Sequence, residues 1–390
     1  MSRTQLLFKR IIKRLKAKYL FEIQKLKRLL YNILTLRLHT PGRSRMDEKY
    51  SNRYISKTKK LLENRALPNY HHYEFELLNT LSAHNSASIR ANAQNCFKQN
   101  GIYPISFSIP YSMPSFSSEK RNFLLSPIQP RQPYKYESFD DYMDTYSKSS
   151  YAITFKKGGW DCARHFEIMS AGCLPLMLDV DQIPQFTMTH YPKQFLARVK
   201  TLSESGYQPT LNVHLAVYEW AANFLTSSNM SRYYLEKIEK NFSSILFVDE
   251  SLPNGPDYLS LHSLIGLKNL FGQEVHELRK TPYIYTDYKL DTTTLYGRGF
   301  GYSKVIDKNL RDSLDFPSLT TVNEYQHIFR EYDLVVVGNL SNNPKVITAL
   351  EGLGTSTAKV YLRGNDLAPT KKESKKLAML NGIVFSREIY

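Results

Sequence analysis

The densest run of chemically capable side chains lies at residues 155–175, FKKGGWDCARHFEIMSAGCLP. Gly158 and Gly159 follow the strand-like AITF of residues 152–155. Two glycines there let the backbone turn sharply with its amide hydrogens outward and no side chain to hold a ligand away. Asp161 is placed to cap a helix over residues 162–171, which Gly172 would end. The start of that helix points a partial positive charge toward the carboxyl end of the sheet, where a diphosphate is stabilised. Lys156, Lys157 and Arg164 add full charges, and an Arg grips phosphate in two-pronged fashion. Arg164 and Glu167 are three apart and share a helical face with Ala171, which leaves Phe166 and Met169 for the core. A carboxylate one and a half turns into such a helix reaches both hydroxyls of a ribose, and Glu167 is the first choice for that role. Trp160 either walls this pocket or is a half-buried core residue; Lys156 and Lys157 either meet phosphate or form a solvated pair.

The elements that must position these residues are legible in the apolar pattern. Residues 74–98 read as helical, and the Pro- and Ser-rich run 104–133 as an extended interdomain loop. Strand AITF, the Gly-Gly turn, a helix, a Gly stop and strand CLPLML then form one compact unit. A second unit starts at Ser244: ILFVD is a buried strand, residues 257–271 a helix ended by Gly272, and EVHEL the next strand. DLVVVG, KVYLRG and IVF (333–338, 359–364 and 383–385) follow as further strands. Alternating strand and helix predicts an α/β fold with parallel, doubly wound sheet. A chain of 390 residues with 42% hydrophobic content predicts two domains.

Cys96, Cys162 and Cys173 form no CxxC pair and no even set, which argues against a disulfide framework or zinc site and fits a reducing compartment. Charge is uneven. Residues 1–45 hold thirteen Lys or Arg against the single acid Glu22, a net of +12 out of +16, so the rest is close to balanced. Phe8, Ile12, Leu15, Tyr19, Ile23, Leu26, Leu30 and Ile33 recur in steps of three and four, which predicts a basic amphipathic helix over residues 1–38. Its charge-free stretch is too short to span a bilayer. Three readings of this tail stand: a helix on an anionic membrane surface, a stripe packed on the protein or a second copy, and nucleic-acid binding without a recognised reader motif. Residues 39–45 break it from the body, and 57–66 read as a further helix.

The run RHFEIMSAGCLP resembles the signature of GT-B glycosyltransferases, family 1-like and exostosin-like, in which an acidic residue on the first turns of a helix precedes a small-residue, Gly, Pro step. The resemblance covers residues 151–178 and implies that Glu167 binds the donor ribose. Gly159 stands where many relatives carry a second glutamate. Residues 245–272 look like the opening strand, loop and helix of the family's amino-terminal domain, and LYGRGFGYS like one of its glycine-rich loops, although both follow the donor segment. Either the halves are permuted or the chain joins parts of two enzymes. The implied organisation is a tail (1–45), a nucleotide-sugar domain (46–243) and an acceptor-type Rossmann-like domain (244–390).

In such a fold the catalytic base comes from loops facing the donor cleft, and Asp249, Glu250 and His262 are the candidates by position. Their ordinary alternatives are turn caps and a packed His, and a retaining mechanism requires no base. Gly297, Gly299 and Gly301 satisfy no dinucleotide fingerprint and read as a flexible loop. Asp179 and Asp181 form a D-x-D that reads as a strand terminus, so the expectation is a metal-independent enzyme with no cofactor beyond the nucleotide-sugar co-substrate. The resemblance thus implies sugar transfer to a glycan, lipid-linked or protein-linked hydroxyl, by a cytoplasmic enzyme held peripherally at a membrane, with no specific nucleic-acid partner. The competing readings are a non-catalytic glycan-binding or scaffolding protein on a degenerate version of the fold, and a nucleic-acid binder working through the tail.

Overall fold

Short apolar runs become strands wherever both faces can be covered, and the computed structural model describes the result for residues 70–390, apart from 111–115, 117–120 and 131–134. The tail helix 1–38, the break at 39–45 and the helix at 57–66 lie outside the described residues. The chain opens with α1 (Tyr70–Ala83) and α2 (Ser86–Asn100). The single helix expected over 74–98 is therefore two. Asn85 takes an extended conformation (φ −125°, ψ 178°) and forms a reciprocal capping box with Ser88, so the second helix starts afresh.

Then come β1 (Tyr103–Pro104), β2 (Phe123–Leu125), α3 (Phe139–Ser147), β3 (Ser149–Thr154), α4 (Ala163–Ser170), β4 (Leu174–Met177), α5 (Lys193–Glu204), α6 (Leu211–Phe224) and α7 (Ser227–Leu235). The second run is β5 (Ile245–Val248), α8 (Tyr258–Phe271), β6 (Val275–Glu277), α9 (Val322–Phe329), β7 (Leu334–Val337), α10 (Pro344–Glu351), β8 (Ala358–Arg363), α11 (Lys371–Ala378) and β9 (Ile383–Ser386). The expected α/β class holds: one sheet has the order β1-β9-β8-β7-β5-β6, a smaller one β2-β3-β4, and every pairing is parallel. The stretch 104–133 is not simply a loop. It holds β2, and β1 at its start extends the later sheet by pairing with β9, which carries the chain across the boundary expected at residue 243.

Alternation along the strands explains the two-faced cover of the larger sheet. Ile245 and Phe247 join Leu261, Leu264 and Ile265 of α8 on one face; Leu246 and Val248 join Phe329 of α9 and Val346 and Leu350 of α10 on the other. The described residues all fall within one compact unit. Among the described residues no helix is long and apolar enough to cross a membrane.

Helix α8 packs on α7 at a distance set by Gly266. A Cβ there would fall inside contact distance of the Ser227 carbonyl oxygen and the Ser231 hydroxyl, and lies 2.6 Å from the Ser227 carbonyl carbon. Backbone atoms yield little, so Gly266→Ala should cost about 3 kcal/mol, read as a lower denaturant midpoint at unchanged slope. An unchanged midpoint would show that the helices separate freely.

Four histidines, His165, His190, His214 and His262, are buried and His84 is half-buried. Burial lowers all of them, His190 to about 3 and the others to about 4. Folded values below the unfolded 6.5 mean stability that is present above pH 6.5 and lost as pH falls toward 4. Melting temperature should accordingly drop steeply between pH 7 and pH 5, and a flat profile would contradict the burial of these rings.

Candidate functional site

The loop after β3 meets the loops after β8 and β9, so the carboxyl ends of the two sheets face one another. The helix following the Gly-Gly turn is α4, and Gly172 (φ +67°) closes the turn after it in the left-handed conformation that glycine favours. Gly172 lies among His214, Arg121 and Phe116, away from the turn that α4 starts from. Its carbonyl accepts from His214 Nδ1 at 2.8 Å, so it stops the helix and does not join the site.

Gly158 is exposed and Gly159 is buried. A Cβ on Gly158 would stand 2.7 Å from the carboxyl carbon of Asp366, and one on Gly159 would meet Glu388 Oε1 and stand 2.9 Å from Arg387 Nη1. Asp161 is not the helix cap. Cys162 takes that position with no side-chain bond, while Asp161 Oδ2 accepts from the Phe107 backbone N–H at 2.9 Å. The Asp161 N–H donates to Glu388 Oε1 at 3.0 Å. Arg387, 1% exposed, donates to the Asp161 carbonyl, to Asp366 and, at 3.1 Å, to the Gly364 carbonyl. Burial pushes both Asp161 and Glu388 up to about 7, against the pull of Arg387 and of the backbone N–H groups they accept from. Asp161 Oδ1 and Glu388 Oε2 are buried without a hydrogen-bond partner.

Trp160 is buried, and its carbonyl meets His165 Nε2 at 2.8 Å. Lys156 lays its ammonium over the Trp160 ring at 4.9 Å and the Tyr390 ring at 5.8 Å, a cation–π seat, while Lys157 is exposed. Asp179 accepts from the Lys156 N–H at 3.1 Å and Asp181 from Lys200 at 2.6 Å, so the D-x-D after β4 serves local bonds.

Arg164 and Glu167 are both buried on α4. Glu167 Oε2 accepts from the Tyr142 hydroxyl at 2.8 Å, and that hydroxyl lies 3.2 Å from Tyr146. Burial raises the Glu167 carboxyl, opposed by Tyr142, Arg164 and Lys157. Its other oxygen faces Gly301, whose Cβ would stand 3.8 Å away. The glycine-rich segment is a succession of left-handed turns, with Gly297, Arg298, Gly299 and Gly301 at φ 58°, 60°, 73° and 77°, closed by bonds such as Ser303 N–H to the Gly299 carbonyl at 2.9 Å. The expected flexible loop is thus a built turn.

His262 also reaches Gly301. Its ring lies edge-on to Phe107 and Tyr258, neither nitrogen has a hydrogen-bond partner, and a weak contact with the Gly301 backbone opposes its lowered pKa. The other two base candidates are engaged in holding the fold. Asp249 accepts from Ser251, from Ser260 Oγ at 2.7 Å and from Asn343 Nδ2 at 3.2 Å. Glu250 pairs with Arg279 at 2.8 Å and accepts from Tyr325 at 2.8 Å. Of the predicted residues, then, Glu167 and His262 meet near Gly301, with Arg164 acting on Glu167, and 158–161 form a second group against Asp366, Arg387 and Glu388. Sequence reasoning missed Tyr142, Phe107 and the Arg387–Glu388 pair. The signal for the pair was an adjacent base and acid one residue beyond the strand-like IVF.

Comparison with protein-family models, with curated proteins and with solved structures finds no match.

Glu388 is raised above its unfolded 4.5, so the folded state is fully stable below that value and loses stability as pH rises through about 7. Glu388→Gln keeps the shape without the charge. It should gain about 3 kcal/mol over the parent at pH 8, a gain that vanishes toward pH 4, in paired denaturant titrations. A constant difference across that range would show that the carboxyl does not titrate there.

Proposed function

We propose that the chain is a glycosyltransferase that takes a sugar from a nucleotide donor and passes it to a hydroxyl of a glycan, lipid-linked or protein-linked acceptor. On this reading residues 46–243 hold the donor and 244–390 face the acceptor, in the two-Rossmann-domain manner with the halves in permuted order. The observation that carries it is the meeting of Glu167, from the β3–α4 unit, with His262, from α8, at the single residue Gly301. The reading is supported by two parallel sheets whose carboxyl ends face one another, the side of such sheets at which ligands bind.

The roles follow from the environments. Glu167, oriented by Tyr142, accepts from the ribose hydroxyls. Arg164, Lys157 and the Gly158 turn meet charge that develops on the departing diphosphate, without recourse to a cation. Burial keeps His262 neutral at pH 7, so a ring nitrogen carries a lone pair for an acceptor hydroxyl beside the Gly301 backbone. The basic tail, residues 1–38, would bring a cytoplasmic enzyme to an anionic membrane carrying the acceptor.

A second reading, a non-catalytic glycan-binding protein, is favoured by one specific feature: the Asp161 N–H is taken by Glu388, and Asp366 sits beside Gly158, so carboxylates stand where a diphosphate would.

A thermal-shift screen against nucleoside diphosphates and their sugars separates the two. Transfer predicts one stabilising donor family, weakened tenfold or more (about 1.4 kcal/mol) in Glu167→Gln. His262→Gln should keep donor binding and lose turnover by roughly a hundredfold or more. Binding of free glycans with no response to any nucleotide would support the second reading and refute the first.

A further inference from the structure

Helix α11 concentrates four lysines, Lys375 and Lys376 in its last turn, and its one acid, Glu373, interacts with Lys376 alone among them. Its sequence KKESKKLA places Lys371 and Lys372 in the first turn, at the positive end of the helix dipole, and sets like charges four apart at Lys371/Lys375 and Lys372/Lys376. The one acid, Glu373, turns back to accept from the Thr370 N–H at 2.7 Å as the capping box. None of the four lysines has an ion-pair partner among the described residues. The helix is held from behind, by Leu377 packed on the core and Ala378 against Gly101.

At 3.6 residues per turn, Lys371, Lys375, Met379, Lys372 and Lys376 fall in that angular order within an arc of about 140°. All five are exposed. Met379, which keeps helical angles at the end of α11, stands in the middle of the arc and is 84% exposed, and Leu367 just before the helix is 68% exposed. A ring of ammonium groups around an exposed thioether suits a partner that is anionic at its surface and apolar beneath it.

We propose that this face of α11 docks on an anionic lipid surface, the lysines meeting headgroups while Met379 enters the acyl boundary. The charges complement such a surface and the like-charge repulsion within the helix is relieved by it. Nucleic acid fits less well, because phosphate offers no apolar layer for Met379 and the arc holds neither an aromatic ring for stacking nor an Arg for two-pronged contact. The assignment is independent of the sugar-transfer reading and of the basic tail.

The three cysteines are buried, so a cysteine placed at 379 can be labelled selectively. The full chain carrying Met379→Cys and a polarity-sensitive fluorophore should show a blue shift and roughly a twofold or larger rise in emission on phosphatidylserine-containing vesicles, and none on phosphatidylcholine alone. Replacing Lys371, Lys372, Lys375 and Lys376 with Gln in that background should abolish the response while leaving the melting temperature unchanged or higher. Vesicles that sediment the chain without altering the probe would overturn the proposal, since the tail would then be the sole contact. An equal response on duplex DNA would overturn it in favour of nucleic acid.

Discussion

Arg387 lies buried between the carboxylates of Asp366 and Glu388 and the carbonyl of Asp161, with its guanidinium 4.5 Å over the Phe107 ring. Two of those partners belong to the end of the larger sheet and one to the turn that follows β3. Desolvating a guanidinium is costly unless each of its donors is satisfied, so this residue demands that both sheets stay in one relative position. The segment that carries it adds to the lock: Glu388 takes the Asp161 N–H, and Ile389 exchanges two bonds with Thr187, at 2.8 and 3.0 Å. Residues 386–389 thus run from the last strand into the smaller sheet's unit as a strap.

This strap explains the charge distribution around the Gly-Gly turn. A helix start with open N–H groups attracts an anion, and here the nearest anion is supplied from within the chain. Burial raises both carboxyls to a pKa close to neutrality against the pull of Arg387, and each retains a buried oxygen without a hydrogen-bond partner. The electrostatic setting of the turn therefore depends on the protonation of Asp161 and Glu388.

Strands and the ends of α4 and α8 were legible because they depend on local chemistry: unbroken apolar runs such as ILFV and LVVV, Asp257 capping α8, and Gly172 and Gly272 in left-handed conformations after their helices. What the residues alone did not disclose depends on contacts distant in sequence. β1 is two residues long and includes Pro104, tolerable only because it is an edge strand, and it exists because β9 offers a free edge. Asp161 reads as a helix cap on spacing, yet the Phe107 N–H from another part of the chain wins its carboxylate. Glu167 could be chosen by its place on the helix, but Tyr142, which orients it, lies 25 residues earlier on a different element.

The two sides of Gly301 are unequally prepared. Glu167 has a fixed donor, and Tyr142 is itself set by Tyr146 and by ring contacts with Phe139 and Phe300, so its orientation is settled within the fold. His262 has aromatic walls and the Gly301 backbone as its polar neighbour, and neither ring nitrogen completes a hydrogen bond. A built turn of successive left-handed residues holds Gly301 between them, and the missing side chain there leaves both groups unobstructed. A polar partner placed at that point would satisfy the imidazole and meet the open oxygen of the carboxylate together, so the energy spent on burying His262 would be recovered only when the position is filled.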